Sequence, residues 1–261
     1  VAVYITIGIV FKLSVNAYQL VGIPLMLAFQ LLIRKKPIYQ LWVKDATDFR
    51  FNKWAILFTI VIAVYPAKEI IFAVTHGNWN IITLGHLEAL LGAVAAGYSL
   101  SRWTKKTTPS FFLCLLIAGG LGIIMFVGVA FAKAYVQHQS IHPDMMTGIR
   151  SMLNYFPVCF VIEEVVFRGL LDSHVHRPGD ARGILSAAFV SALWGLWHAP
   201  VVIQKIKADD IPTAIASLVI VHTILGVPLS LYFRKSGNLA VTSFTHALID
   251  SVRNALVGWI S

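Results

Sequence analysis

Two adjacent carboxylates, Glu163 and Glu164, stand in the middle of the apolar run Phe160-Val161-Ile162-Glu163-Glu164-Val165-Val166-Phe167-Arg168-Gly169. A charge at the centre of a membrane helix costs about 2.5–3.5 kcal/mol even on the lenient insertion scale, so such a pair has to face a polar cavity rather than lipid. Arg168 follows Glu164 by four residues and shares its helical face, which suits an ion pair. Glu163 is turned by about 100° from Glu164 and can point elsewhere, towards a bundle interior. One arginine does not neutralise two carboxylates. The division of labour this suggests is a structural glutamate held by arginine beside a second glutamate left for chemistry, such as general-base work. The bland alternative is a salt bridge that only locks helices together.

Two further runs bring histidine to the same problem. In Ser191-Ala192-Leu193-Trp194-Gly195-Leu196-Trp197-His198, Trp194 and His198 are four residues apart on one face, and Ala187, Ser191 and Gly195 recur at the same spacing. Small residues every four positions let two membrane helices approach closely, which would press His198 against a neighbour. A lone membrane histidine is otherwise an ordinary packing residue. In Ser243-Phe244-Thr245-His246-Ala247-Leu248-Ile249-Asp250, His246 and Asp250 are again at i, i+4. A carboxylate there can fix an imidazole tautomer or keep the ring protonated; the alternative is a helix-stabilising pair.

The elements that must position these residues are membrane helices. Of 261 residues, 57% are hydrophobic and only 13% charged, against about 25% charged in soluble domains. Mean hydropathy is +0.75. A span takes about 20 apolar residues, and eight candidates can be drawn, within 1–33 and at about 53–74, 80–100, 111–136, 152–171, 183–203, 211–233 and 239–260. The expected fold is therefore all-α, a polytopic bundle of about eight transmembrane helices. Four would lie in residues 1–151 and four, carrying the motifs, in 152–261, all within one integral membrane domain.

Breakers at Pro37, Pro109, Pro143, Pro178-Gly179-Asp180, Pro212 and Gly237 fall near the expected loops. Pro66, Pro157, Pro200 and Pro228 fall in or near helix ends, where membrane helices tolerate them. The net charge of +9 comes from Lys and Arg clustered between apolar runs, which argues for membrane orientation and against nucleic acid. The loops after the first, third, fifth and seventh helices hold 13 Lys and Arg against 4 in the opposite loops. That excess puts the former in the cytoplasm and both termini outside. Cys114 and Cys159 lie in apolar runs and read as packing residues. The sequence opens on Val1 rather than Met, which leaves a preceding segment, a signal peptide included, open.

Taken in order, Glu163-Glu164-x-x-x-Arg168, Trp194-x-x-x-His198 and His246-x-x-x-Asp250 resemble the motifs of the CPBP family of membrane proteins. That family includes the type II CAAX prenyl endopeptidases and bacterial relatives, some linked to bacteriocin immunity. The resemblance covers about residues 152–261. Each motif alone is weak; three in order on separate apolar runs are specific. The resemblance implies an integral, multi-pass glutamate peptidase of the bacterial inner membrane, acting on a membrane-associated peptide or protein at the lipid bilayer. Glu163 would be the general base with His198, activating a water between them. Glu164 and Arg168 would support the site, and His246 with Asp250 would hold the oxyanion.

Two departures stand out: Trp194 replaces the usual Phe, and Asp250 replaces the Asn of the prenyl endopeptidases. An ionised Asp cannot donate to an oxyanion, which weakens the case for prenylated substrates.

The resemblance implies no cofactor, and zinc is the rival. Two histidines and a glutamate could make a three-ligand site, but the sequence lacks His-Glu-x-x-His, and His86-Leu87-Glu88 lacks the second histidine. His174 and His176 read as solvated loop residues. Gly-x-Ser-x-Gly is missing, against a serine hydrolase. A transporter would use Lys68, Glu69, Glu88 and His222, but the sequence carries no visible inverted repeat. A non-catalytic scaffold or immunity protein that keeps the motifs would read identically.

Overall fold

The computed structural model describes residues 1–79, 81–138, 140–176, 179 and 183–257. Asn80, Arg177, Pro178, Asp180, Arg182 and the expected end of the last helix through Ile260 lie outside the described residues. The described chain is all-α, with one isolated antiparallel bridge between Val43 and Asn238.

The first expected helix is two helices, α1 (Ala2–Val10) and α2 (Val15–Ala28), the latter extended by a π-helical turn over Phe29–Ile33. Lys12, in the left-handed region, separates them. α3 (Lys53–Thr75) starts where the Asn52 side chain accepts from the backbone N–H groups of Trp54 and Ala55, both at 3.0 Å, satisfying two of the donors that a helix start leaves free. α4 (Ile81–Ser101) packs along α3. α5 (Thr107–Cys114) and α6 (Gly120–Gln137) are halves of one long helix joined by a π-helical turn at Leu115–Gly119.

Asp144 caps α7 (Met145–Val158). A third π-helical segment, Val165–Asp172, leads into the short α8 (Ser173–Val175). α9 (Gly183–Trp197) and α10 (Ala199–Ile203) break at His198, ahead of Pro200. α11 (Ile211–Ser236) ends at Gly237, whose φ of +66° needs glycine, and α12 (Leu239–Val257) follows at once. The Asn238 side chain ties this corner to the Ser99 carbonyl at 2.7 Å and accepts from the Ala240 N–H at 2.9 Å.

The expectation of about eight spans is overturned. Among the described residues, four helical stretches are long and apolar enough to cross a membrane: Lys53–Thr75, Thr107–Val136, Gly183–Ile203 and Ala208–Ser236. The apolar helix Ala17–Ile33 is shorter. Hydropathy counts residues and misses breaks and polar faces. α4 carries Thr83, His86 and Glu88 in its first half, α7 carries Arg150, Ser151 and Asn154, and α12 carries His246, Asp250, Arg253 and Asn254. The alternation of loops behind the expected orientation falls with the count. The chain remains an integral, multi-pass membrane protein.

The expected helix over 152–171 is also broken. Pro157 brings no backbone N–H, α7 stops at Val158, and the chain turns through Cys159–Ile162 before the π-helical segment begins. The Trp42 indole N–H donates to the Phe160 carbonyl at 3.1 Å, replacing a partner that the lost helix would have supplied. At the other side of the bundle, α9 and α11 approach closely. A Cβ on Gly195 would come within 2.5 Å of the Leu218 carbonyl, and one on Gly226 within 2.5 Å of Ser191 Oγ. The small-residue stripe of α9 thus meets α11, as its spacing suggests.

Candidate active site

The break after α7 sets the two glutamates at the head of the π-helical segment. The wider turn of a π-helix, common at functional sites, carries Glu164 and Arg168 into the core, where both are fully buried. Arg168 Nη1 donates to Glu164 Oε1 at 2.8 Å, and the guanidinium lies over the Trp194 ring, 4.3 Å from its centroid. Glu164 does more than hold this arginine. His246 Nδ1 lies 3.0 Å from the same Oε1, so Glu164 joins the π-helical segment to α12.

Glu163 points the other way, as its rotation requires. Its Oε2 accepts the Trp194 indole N–H at 3.0 Å. His246 Nε2 lies 3.6 Å and His198 Nε2 3.8 Å from that oxygen, and Asp250 Oδ2 lies 3.5 Å from His246 Nε2. Arg253 pairs with Asp250 at 2.9 Å. All six residues singled out in the three motifs thus come together: Glu163, Glu164, Arg168, His198, His246 and Asp250.

The hydrogen bonds assign the donors. His198 Nδ1 lies 3.0 Å from the Trp194 carbonyl, which can only accept. In the neutral ring Nδ1 therefore holds the proton, and Nε2 faces Glu163 as an acceptor. His246 has a carboxylate oxygen to donate to at each nitrogen. One side of the cluster accepts protons and the other donates them.

The cluster opens into a cavity of about 560 Å³. Glu163, His198, His246 and Asp250 line its polar end, and Tyr18, Val201, Leu218, Val221, Leu225 and Ile249 form much of its apolar wall. Residues 146–252 match the protein family described as Type II CAAX prenyl endopeptidase Rce1-like.

This stretch of the chain is a CAAX-protease-family domain. No curated protein and no solved structure matches the chain. The family domain begins within α7 and contains the whole cluster, so the chain carries a CAAX-protease-like fold with a buried His/Glu site of the glutamate type. Among the described residues, no group of three or more His, Cys, Asp or Glu side chains is disposed to hold a metal ion. Cys114 and Cys159 are both free and buried.

The CAAX-protease-family domain holds partners that sequence spacing missed. Trp194, by sequence a bulkier Phe, supplies with its indole N–H the one side-chain hydrogen bond to Glu163 among the described residues. His222 of α11, weighed only as a transporter residue, lines the cavity with its ring 4.4 Å from that of His198. An ionisable residue inside an apolar helix was the available signal. His174 does not reach the cluster and packs edge-on against Phe29.

Proposed function

We propose that this chain is an intramembrane endopeptidase that hydrolyses a membrane-associated peptide through a Glu163/His198-activated water. The observation that carries the reading is a buried carboxylate facing an acceptor imidazole on one side and a donor imidazole on the other, at the end of a largely apolar cavity.

A water within reach of Glu163 Oε2 and His198 Nε2 would give one proton to Glu163 while its oxygen attacks the peptide carbonyl carbon. The carbonyl π electrons move to oxygen. The His246 Nε2–H meets that oxyanion in a water-poor cavity, where a fixed donor is most effective. Glu163 then passes its proton to the peptide nitrogen as the C–N bond breaks.

Glu164 and Arg168 hold His246 and the π-helical segment. Asp250, paired with Arg253 and 3.5 Å from His246 Nε2, sets a negative charge beside the donor without serving as one. We place the protein in the bacterial inner membrane, as its resemblance to the CPBP family implies. Residues 1–151 supply the scaffold against which residues 152–261 are held.

Purified protein in detergent, given lipid-anchored peptides carrying either a prenyl or an acyl chain, tests the reading. The expected result is an internal cut, found by mass spectrometry, that persists under a strong chelator and disappears in His198→Ala and His246→Ala. Chelator-sensitive cleavage restored by zinc, or uncut peptides throughout, would overturn it.

A further inference from the structure

The cavity holds a third imidazole that the water-activation scheme does not use. His222 lies on α11 with its ring at 90° to the Trp194 ring, 4.5 Å between centroids, and 4.4 Å from the His198 ring. His222 Nδ1 lies 2.7 Å from the Leu218 carbonyl one turn back, so in the neutral ring Nδ1 donates and Nε2 is a bare acceptor. His198 is built in the same way on α9, with its Nδ1 on the Trp194 carbonyl. Both rings line one cavity, and two bare acceptors cannot bond each other.

An attacking water has two O–H groups, and Glu163 Oε2 and His198 Nε2 take both. The His246 Nε2–H has Glu163 and Asp250 within 3.6 and 3.5 Å, and Arg253 is paired with Asp250. His222 Nε2 lines the cavity as an acceptor that makes no hydrogen bond to the described residues, a site that a bound donor can fill. The donor that a bound peptide brings is its backbone N–H.

We propose that His222 is a substrate-positioning residue whose Nε2 accepts a backbone N–H of the peptide lying in the cavity beside the bond to be cut. The inference rests on the peptidase reading, and deepens it by adding a main-chain contact that selects peptides in an extended conformation. The geometry requires α11 to sit tightly on α9, which Gly195 and Gly226 allow. A purely structural His222 would need only its aromatic face against Trp194, and phenylalanine would serve as well.

Binding rather than turnover separates the two ideas. Affinity of the Glu163→Gln protein for prenylated and acylated pentapeptides is measured with and without His222→Phe, alongside a series in which each backbone amide is replaced in turn by an ester. The expected result is a loss of about tenfold on His222→Phe, with part of it restored by His222→Gln, which keeps an acceptor. One ester position should cost the His222 protein a similar factor and cost His222→Phe nothing further. Equal affinities across the variants, an ester penalty that survives His222→Phe, or failure to bind any of the peptides would overturn the proposal. The ester series on the His222 protein reads out even if His222→Phe does not fold: a uniform affinity across all ester positions overturns the proposal too. Absence of cleavage by the unaltered protein, with these binding differences intact, would remove the peptidase reading alone.

Discussion

The π-helical segment Val165–Asp172 carries a buried charge cluster at each end, and the two are built differently. At its C-terminal end Asp172 is fully buried and receives two donors from one guanidinium, Arg234 Nη2 at 2.6 Å and Nε at 2.8 Å. Arg234 also donates to the Gly183 carbonyl and to Ser186 Oγ, so one side chain fastens the segment, the start of α9 and the end of α11. Both carboxylate oxygens and all three guanidinium nitrogens are bonded. At the N-terminal end, by contrast, Glu163 receives one bond at 3.0 Å and faces two imidazoles at 3.6 and 3.8 Å, beyond ordinary hydrogen-bond length. Burying charge is expensive, and a fully bonded pair offsets that cost. A cluster that leaves acceptors open beside a cavity forgoes part of the offset and keeps sites for a substrate. Glu164–Arg168 lies between these extremes: one hydrogen bond of 2.8 Å pairs the two side chains, Glu164 Oε2 and Arg168 Nε have no hydrogen-bond partner among the described residues, and His246 joins the pair to the second cluster.

The comparison is tested hardest at Arg168. Arg168→Ala would leave Glu164, in a fully buried site, without its guanidinium and with His246 Nδ1 as its remaining partner, and it should cost about 3–5 kcal/mol of stability. Thermal unfolding in detergent would show the loss, and abundance in membranes should fall with it. Normal stability would mean that Glu164 is not held as an anion by this arginine.

Arg234→Ala should come next. It breaks the Asp172 lock, with an expected cost of about 3 kcal/mol. Cleavage per folded molecule should be unchanged, because Arg234 bonds away from the cavity. A drop in specific activity matching the stability loss would erase the distinction between the two ends.

Trp194→Phe should have the smallest effect and the reverse signature. It restores the ring type usual at this motif position and removes the indole N–H from Glu163. A hydrogen bond to a charged group contributes about 1.5–3 kcal/mol, so kcat should fall by about ten- to a hundredfold. The Arg168 stacking survives on a phenyl ring, which keeps the stability change small. Unaltered kcat would show that Glu163 needs no such anchor.

The side-chain spacing along each helix was legible in the sequence, because i, i+4 neighbours share a face whatever the tertiary structure. That is why Glu164–Arg168 and His246–Asp250 are paired as their spacing suggests. Most approximate helix boundaries were legible for a related reason, since apolar runs and breakers mark them. The number of spans was not. Hydropathy reads the Met152–Leu171 stretch as continuous, whereas Pro157 and the Cys159–Ile162 turn divide it. The polar face of α12 withdraws it from the set of apolar spans. Contacts across long sequence separations were equally hidden. Trp194 to Glu163 spans 31 residues and His246 to Glu164 spans 82, and no local periodicity encodes either. His222 was visible only as a histidine in an apolar helix, and its Leu218 bond and His198 neighbour exist only once α9 and α11 have packed.

The central claim is that Glu163 is the carboxylate left open for chemistry, while Glu164, paired with Arg168, is held for structure. Glu163→Gln keeps the side-chain size and removes the base. The direct measurement is peptide turnover and thermal midpoint on the same purified sample of that variant. The account predicts a fall in kcat of about 10²–10⁴-fold with the midpoint unchanged or raised, since a buried charge has been removed. Turnover equal to that of the unaltered protein, or a loss of turnover fully explained by unfolding, would contradict it.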